Sequence, residues 1–227
     1  MVADHKMNRF PSYILPFSRS RLFASFVDNQ IVLNLLTCWQ HQTLGNRVVQ
    51  ELRYLKSQKG NISILQVGFI PGSLSNNIAQ LISSEGKLTI VDPLSFQIER
   101  AKKKLARFQN VEFIEGIGEN IPYSANTFDV IIIFFLFHEV PVDARQKILG
   151  ESLRILHTDG SIIYCDFSKP SCIAGTILTA AFSLFGEKYL YSLINADVQK
   201  MFSIEKMKIL SQEGYFCNTF QFLIVSL

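Results

Sequence analysis

Apolar residues recur at helical spacing along the first sixty positions and then give way to short, nearly continuous apolar runs. Over 21–36 the apolar set is Leu22, Phe23, Phe26, Val27, Ile31, Leu33 and Leu35, with polar residues between, which predicts an amphipathic helix. Val48, Val49, Leu52 and Leu55 predict a second over 46–57, stopped at Lys59-Gly60-Asn61. From residue 62 the period changes. Strands are predicted over 63–67, 87–91, 111–114, 128–137 and 161–166, and helices over 73–83, 96–108 and 143–156. The run 128–137 is almost unbroken in apolar character, as a strand covered on both faces should be. Alternation over 215–226 predicts a closing hairpin. Strand–helix units in this order predict a doubly wound α/β sheet. The change of pattern divides the chain into an N-terminal helical cap, 1–60, and an α/β domain, 61–227, with an insertion after the fifth strand at about 170–205. No internal repeat or low-complexity tract is present.

Composition adjusts this picture in two places. The 227 residues carry 22 Lys and Arg against 19 Asp and Glu, a formal charge of +3, which does not suggest a dedicated nucleic-acid binder. Eight of the basic residues fall within the first sixty positions against Asp4, Asp28 and Glu51, so the excess sits on the cap. That face is either a solvated helix surface or a contact for anionic lipid. Charged residues make up only 18% and there are 19 Phe. A buried central sheet accounts for both, and so does contact with a membrane or an oily substrate; the two can hold together. Disorder and collagen-like repeats are excluded.

The four cysteines, Cys38, Cys165, Cys172 and Cys217, form no Cys-x-x-Cys pair, so reduced, packed thiols and a cytoplasmic location are expected. The first 17 residues lack a signal-peptide pattern. The uncharged stretch 170–186 is broken by Gly175 and falls short of the ~20 apolar residues of a membrane span.

Candidate chemistry lies at the carboxyl ends of the strands, where doubly wound sheets bind ligands. The first strand runs into Gly68-Phe69-Ile70-Pro71-Gly72, and the second ends at Asp92-Pro93, twenty residues after Gly72. Glycines there permit close backbone approach, and the acid can accept hydrogen bonds from ribose hydroxyls; alternatively these are turn glycines and a helix-capping Asp. His138-Glu139 follows the longest apolar strand. His138 suits proton transfer near neutral pH and Glu139 a polar, amine or metal contact; alternatively the pair caps a loop and starts the next helix. The charge-free segment 172–185, with Ile173, Ile177, Leu178, Phe182, Leu184 and Phe185, is either a cover over an apolar acceptor or a core helix. Tyr189 and Tyr191 can stack on a ring or sit at an interface.

Several strings resemble the class I S-adenosylmethionine-dependent methyltransferases over about 62–170. Asp166-Phe167-Ser168-Lys169-Pro170 is similar to the string after the fifth strand in ubiquinone and menaquinone C-methyltransferases, and Asn126-Thr127-Phe128-Asp129-Val130 to the approach to their fourth. Ile70, Leu65-Gln66-Val67, Val91-Asp92 and Phe134-Phe135-Leu136-Phe137-His138-Glu139 with Pro141 resemble the rhodoquinone biosynthesis family, an offshoot of that branch. The resemblance implies a Rossmann-like class I methyltransferase fold: a mostly parallel seven-stranded sheet flanked by helices, with an N-terminal helical cap. It implies S-adenosyl-L-methionine as cofactor, held by Gln66, Gly68, Ile70, Gly72, Asp92, Pro93, Ile117 and Gly118. The catalytic candidates His138, as acid/base, and Glu139, as a polar or metal contact, rest on their place after the longest apolar strand. The resemblance also implies a ubiquinone-like acceptor and a divalent metal such as manganese whose ligands are unassigned. Separately, the basic N-terminal helices and the charge-free segment 172–185 predict peripheral contact with the inner face of a membrane. The chain departs from the methyltransferase pattern at Gln66, where an acid is usual, at Ile70, where glycine is usual, and at Ile117, where Asp is usual.

Three functions follow. The leading one is replacement of a ubiquinone methoxy group by an amino group, giving rhodoquinone. The second is methyl transfer to a quinone or another lipophilic small molecule. The third, motivated by the three departures, is a binding or regulatory protein whose cofactor loop has degenerated.

Overall fold

The computed structural model describes residue 26 and residues 28–82, 85–184, 188–203 and 207–227. Among the described residues, the helices α1 (Gln30–Leu36) and α2 (Gln40–Lys59) precede the sheet. The chain then runs β1 (Ser63–Val67), α3 (Leu74–Ile82), β2 (Lys87–Asp92), α4 (Ser95–Lys104), β3 (Val111–Glu115), β4 (Phe128–Phe134), a 3-10 turn (Phe137–Glu139), α5 (Val142–Ile155) and β5 (Leu156–Phe167). Helices α6 (Ile173–Leu184), α7 (Leu190–Ile194) and α8 (Val198–Ser203) lead to the hairpin β6 (Lys208–Tyr215) and β7 (Phe220–Ser226).

The strands form one seven-stranded sheet in the order β3-β2-β1-β4-β5-β7-β6, parallel except where β7 runs against both its neighbours. Adjacent β1 and β4 are in register from Ile64 opposite Val130 to Val67 opposite Ile133. The chain winds from β1 towards β3 on one side and from β4 towards β6 on the other, so the switch point lies between β1 and β4. The middle strands are apolar because helices cover both faces: Ile131, Ile132 and Ile133 are fully buried. Most of the phenylalanine excess is core, including Phe128, Phe137, Phe167, Phe202, Phe220 and Phe222.

Several boundaries differ from expectation. Residues 21–25 and 27 of the first predicted helix, Phe23 and Val27 among them, lie outside the described residues, as does Phe185. Within them, Asn29 caps α1 by accepting from the Ile31 N–H, 2.8 Å away. Cys38 and Trp39 at positive φ separate α1 from α2. Helix α2 starts at Gln40 rather than 46, because His41 and Leu44 extend the buried stripe of Val48 and Leu52. Strand β4 stops at Phe134, where Phe135 at φ 52° turns the chain. The closing hairpin begins at Lys208; its first strand is a polar edge strand that alternation over 215–226 missed. The expectation of four reduced cysteines is overturned: Cys172 and Cys217 form a disulfide, while Cys38 and Cys165 are free. The hairpin turn brings them together, the Ser171 N–H donating to the Cys217 carbonyl at 2.7 Å.

Helix α6 exposes Ile173, Ile177 and Leu184, whereas Phe182 packs edge-on against Phe167 at 4.9 Å between ring centroids. The segment is therefore both core and apolar surface. No helix among the described residues is long and apolar enough to cross a membrane.

His41 is buried edge-on to Phe134 and stacked on Phe135, at 5.2 and 6.0 Å between centroids. Burial, with a smaller contribution from the Lys104 charge, lowers its pKa to about 4. Below pH 6.5 the unfolded chain binds a proton that the folded chain refuses until about pH 4, so stability falls with pH across that window, by about 3 kcal/mol from this group. Asp92, raised to about 6, acts in the opposite sense. Urea unfolding of His41→Phe should therefore lose less stability between pH 6.5 and 4 than the wild type loses; an unchanged pH dependence would show that His41 is not held neutral.

Candidate functional site

Two loops meet at the switch point. Gly68 leaves β1 at φ 84° and its N–H donates to the Val91 carbonyl at 2.8 Å. A Cβ built on Gly68 would have only Leu136 Cδ1 within 4 Å, so the backbone faces open space on that side. Gln66 is fully buried. Its amide Nε2 donates to the Gly68 carbonyl at 2.8 Å and its Oε1 accepts from Ser75 Oγ at 2.9 Å, tying the loop to α3. A neutral amide thus braces the loop where an acid is usual. The Ile70 side chain is buried in the core and acts there by packing.

Asp92, at the end of β2, is buried. Its Oδ2 accepts from the Phe69 N–H and its Oδ1 from the Leu94 N–H, both at 2.8 Å. Burial pushes its pKa up to about 6, against the lowering effect of those two amides and of Arg100. Asp92 thus braces the loop from β1 as well as capping the approach to α4. Pro93 follows it, half-buried. Ile117 and Gly118, also half-buried, lie in the loop after β3. Gly118 packs too closely for a side chain: a Cβ there would stand 2.8 Å from Val67 Cγ1 and 3.2 Å from Ile148 Cγ1.

The far end of the glycine loop is held by residues the sequence reading did not single out for the site. The Gly72 N–H donates to Asp28 Oδ1 at 3.0 Å, and the Ser73 N–H and hydroxyl donate to Gln30 Oε1 at 2.9 and 3.0 Å. Asp28 also pairs with Lys104 and, at 2.9 Å, with Arg100. Nothing local in the sequence signals a clasp between residues more than forty positions apart.

His138 lies in the 3-10 turn after β4 and is buried; Glu139, in the same turn, is half-buried and precedes α5 rather than starting it. His138 Nδ1 is 2.8 Å from Asp166 Oδ1. Asp166, at the end of β5 and fully buried, also accepts from the Phe137 N–H at 2.7 Å and from the Phe167 N–H at 2.8 Å. Arg145 of α5, 1% exposed, locks the turn from beneath: Nε donates to the carbonyls of Phe137 and Val140, at 2.8 and 3.0 Å, while one terminal nitrogen donates to the Tyr189 carbonyl and Ser192 Oγ. Burial lowers its pKa. The Tyr189 backbone thus belongs to this brace, and Tyr191 is exposed. Phe135 stands at the centre of an aromatic wall, edge-on to Phe134, Phe167, Phe220 and His138 at centroid distances of 5.0 to 6.1 Å.

The residues present fit S-adenosylmethionine in outline: an open face at Gly68, a neighbouring carboxylate at Asp92 with lone pairs beyond its two amide partners, and a histidine turn whose Leu136 adjoins Gly68. Among the described residues no group of three or more His, Cys, Asp or Glu side chains is placed to hold a metal ion, so the metal implied by the rhodoquinone resemblance finds no ligand set there.

Residues 64–160 match the family described as "Methyltransferase domain". The chain is 30% identical to the ubiquinone/menaquinone biosynthesis C-methyltransferase UbiE of Francisella philomiragia, over 58% of this chain and 50% of that protein. It is 26% identical to the demethylmenaquinone methyltransferase of Staphylococcus aureus, over 61% of this chain and 55% of that one. The chain thus spans about half the length of these curated relatives. In fold it is similar to the N-methyltransferase NodS from Bradyrhizobium japonicum, solved with S-adenosyl-L-homocysteine, at a TM-score of 0.54 and 14% identity, covering 84% of this chain and 86% of that one. The sheet order and the solved neighbours show the Rossmann-like fold of the class I S-adenosylmethionine-dependent methyltransferases, and the matched domain and the curated relatives make residues 64–160 similar to a methyltransferase domain, with a resemblance to the ubiquinone/menaquinone C-methyltransferases.

Proposed function

We propose that this chain is an S-adenosylmethionine-dependent methyltransferase acting on a lipophilic quinone-type acceptor. The observation that carries the reading is the meeting of the Gly68 loop and its buried Asp92 with the His138 turn, across the switch point of the sheet. The quinone class is supported by the relatives and by the aromatic wall around Phe135, which suits a flat, apolar ring.

S-adenosylmethionine, when bound, supplies a methyl group on a sulfonium, so little covalent help is needed from the protein. The chain's contribution is alignment and proton removal. Gly68 lets a ligand approach the backbone, Asp92 accepts hydroxyl hydrogen bonds, and His138 takes the proton that the acceptor loses. Glu139 beside it offers a polar contact. Phe135, Phe167, Phe182 and Phe220 keep water from the acceptor side, and the exposed Ile173 and Ile177 of α6 continue that apolar surface for an isoprenoid tail.

Amino-group introduction and a purely binding role are separated from this reading by one experiment. The full chain is incubated with S-adenosylmethionine and demethylated quinol in detergent, and the quinones are profiled by mass. A product gaining one methyl is expected. Exchange of methoxy for amino in a ubiquinone control would replace this reading by the rhodoquinone one, and no product with intact cofactor binding would replace it by a binding role.

Asp92 adds a pH signature. As its carboxyl is protonated below about pH 6, it loses acceptor capacity towards hydroxyls. Calorimetric affinity for S-adenosylhomocysteine should weaken as pH falls through about 6, and Asp92→Asn should flatten that step. An identical pH dependence in the variant would remove Asp92 from the cofactor site.

A further inference from the structure

We propose that Asp28 and Gln30, at the entry to α1, are positioning residues for the cofactor: they fix the far half of the glycine loop, so that S-adenosylmethionine binding depends on the N-terminal cap. This inference rests on the methyltransferase reading and names the part of the chain outside the sheet that shapes its cofactor loop.

The backbone donors of the loop divide between two supports. At the near end the Gly68 N–H goes to the Val91 carbonyl and the Phe69 N–H to Asp92 Oδ2, both at 2.8 Å, so β2 holds this half. Pro71 has no N–H to place. At the far end the Gly72 N–H goes to Asp28 Oδ1 at 3.0 Å, and the Ser73 N–H and hydroxyl go to Gln30 Oε1 at 2.9 and 3.0 Å. The cap therefore holds that half. A loop released at one end samples more backbone conformations, and a ligand that needs one of them binds more weakly in proportion.

The two glycines divide in the same way. Gly68 has open space where a side chain would stand, with only Leu136 Cδ1 within 4 Å. Gly72, at φ 78°, is covered by the cap: a Cβ there would stand 2.5 Å from Gln30 Oε1 and 3.0 Å from Leu33 Cδ1. Position 68 is thus open to a ligand, and position 72 admits α1.

Both acceptors are themselves anchored. Asp28 pairs with Arg100 at 2.9 Å and with Lys104, both on α4. These three side chains are only 18 to 25% exposed, so solvent screens the cluster less than it screens a surface pair. The Lys104 amine also lies 5.7 Å from the centroid of the Phe69 ring, which brings the cluster to the near half of the loop. Gln30 Nε2 donates to Asn34 Oδ1 at 2.9 Å, and Asn34 Nδ2 donates to Gln42 Oε1 at 2.7 Å. This amide chain runs through α1 into α2 and aims the Gln30 oxygen, rather than its nitrogen, at Ser73. Apolar packing alone would hold the cap in place; acceptors on two successive amides set the backbone of the loop.

The test compares cofactor affinity with stability. The full chain is titrated calorimetrically with S-adenosylhomocysteine, below the unfolding transition of each variant. Asp28→Ala and Gln30→Ala should each weaken binding about 10-fold. Asp28→Asn keeps an acceptor for the Gly72 N–H but loses the charge that Arg100 and Lys104 hold, so its affinity should fall between Asp28→Ala and wild type. Ile31→Ser, on the exposed side of the same helix, should bind as the wild type does. Wild-type affinity in Asp28→Ala and Gln30→Ala, with only a lowered unfolding temperature, overturns the proposal. An equal loss in Ile31→Ser also overturns it, by showing a general disturbance of the cap. If Asp28→Ala does not fold, hydrogen–deuterium exchange of the wild type decides. Bound S-adenosylhomocysteine should slow exchange over 28–36 together with 66–73, and slowing over 66–73 alone overturns the proposal. A wild type that binds no S-adenosylhomocysteine overturns the methyltransferase reading and this proposal with it, whereas unchanged variants of a wild type that binds overturn the proposal alone.

Discussion

A buried carboxylate at the end of one strand accepts the backbone N–H of its neighbour's loop, and this interaction occurs on both sides of the switch point. Asp92 at the end of β2 holds the Phe69 N–H of the loop from β1. Asp166 at the end of β5 holds the Phe137 N–H of the loop from β4. Strands β1 and β4 are themselves adjacent, so the two clasped loops stand side by side at the carboxyl edge of the sheet. Charge-assisted hydrogen bonds of this kind are about twice as strong as neutral ones, and burial raises the cost of leaving either carboxylate without donors. The loops are thus positioned by the strands next to their own. A ligand meeting both would find them set before it arrives.

The two clasps differ in a way that matches their proposed tasks. Asp92 takes the backbone N–H groups of Phe69 and Leu94 on its two oxygens, and burial raises its pKa to about 6. It sits beside the open face of Gly68. Asp166 spends part of its capacity on an imidazole and lies beneath an aromatic wall. One side therefore suits a polar, hydroxyl-bearing ligand and the other a flat apolar one. The N-terminal segment adds a third constraint: Asp28 and Gln30 occupy the amides of Gly72 and Ser73, and a Cβ at position 72 would stand 2.5 Å from Gln30 Oε1 and 3.0 Å from Leu33 Cδ1.

Much of the sheet was legible because a strand covered on both faces has no need of polar residues. The apolar runs through Ile64, Ile90 and Ile132 each mark a central strand. The edge strand β6 escaped because its solvent-facing residues break any apolar pattern. The motif positions at Gly68, Asp92 and His138 were readable because each follows a strand end. What surrounds them was not. Asp166 stood in a family string, but its bond to His138 spans 28 positions and depends on the left-handed turn at Phe135, which no residue type there announces. Arg145 bonds mainly to backbone carbonyls, which leave no partner to find in the sequence. The Cys172–Cys217 disulfide, 45 positions apart, follows from the packing of the hairpin turn against the start of α6.

The central claim is that one ligand surface spans the loops that follow β1, β2, β3 and β4. Hydrogen–deuterium exchange with and without S-adenosylhomocysteine tests it most directly. Slower exchange is predicted in 66–72, 92–97, 116–118 and 135–139 together, with the outer hairpin unchanged. Protection absent from these segments at saturating ligand, or confined to a region away from the carboxyl edge of the sheet, would contradict it.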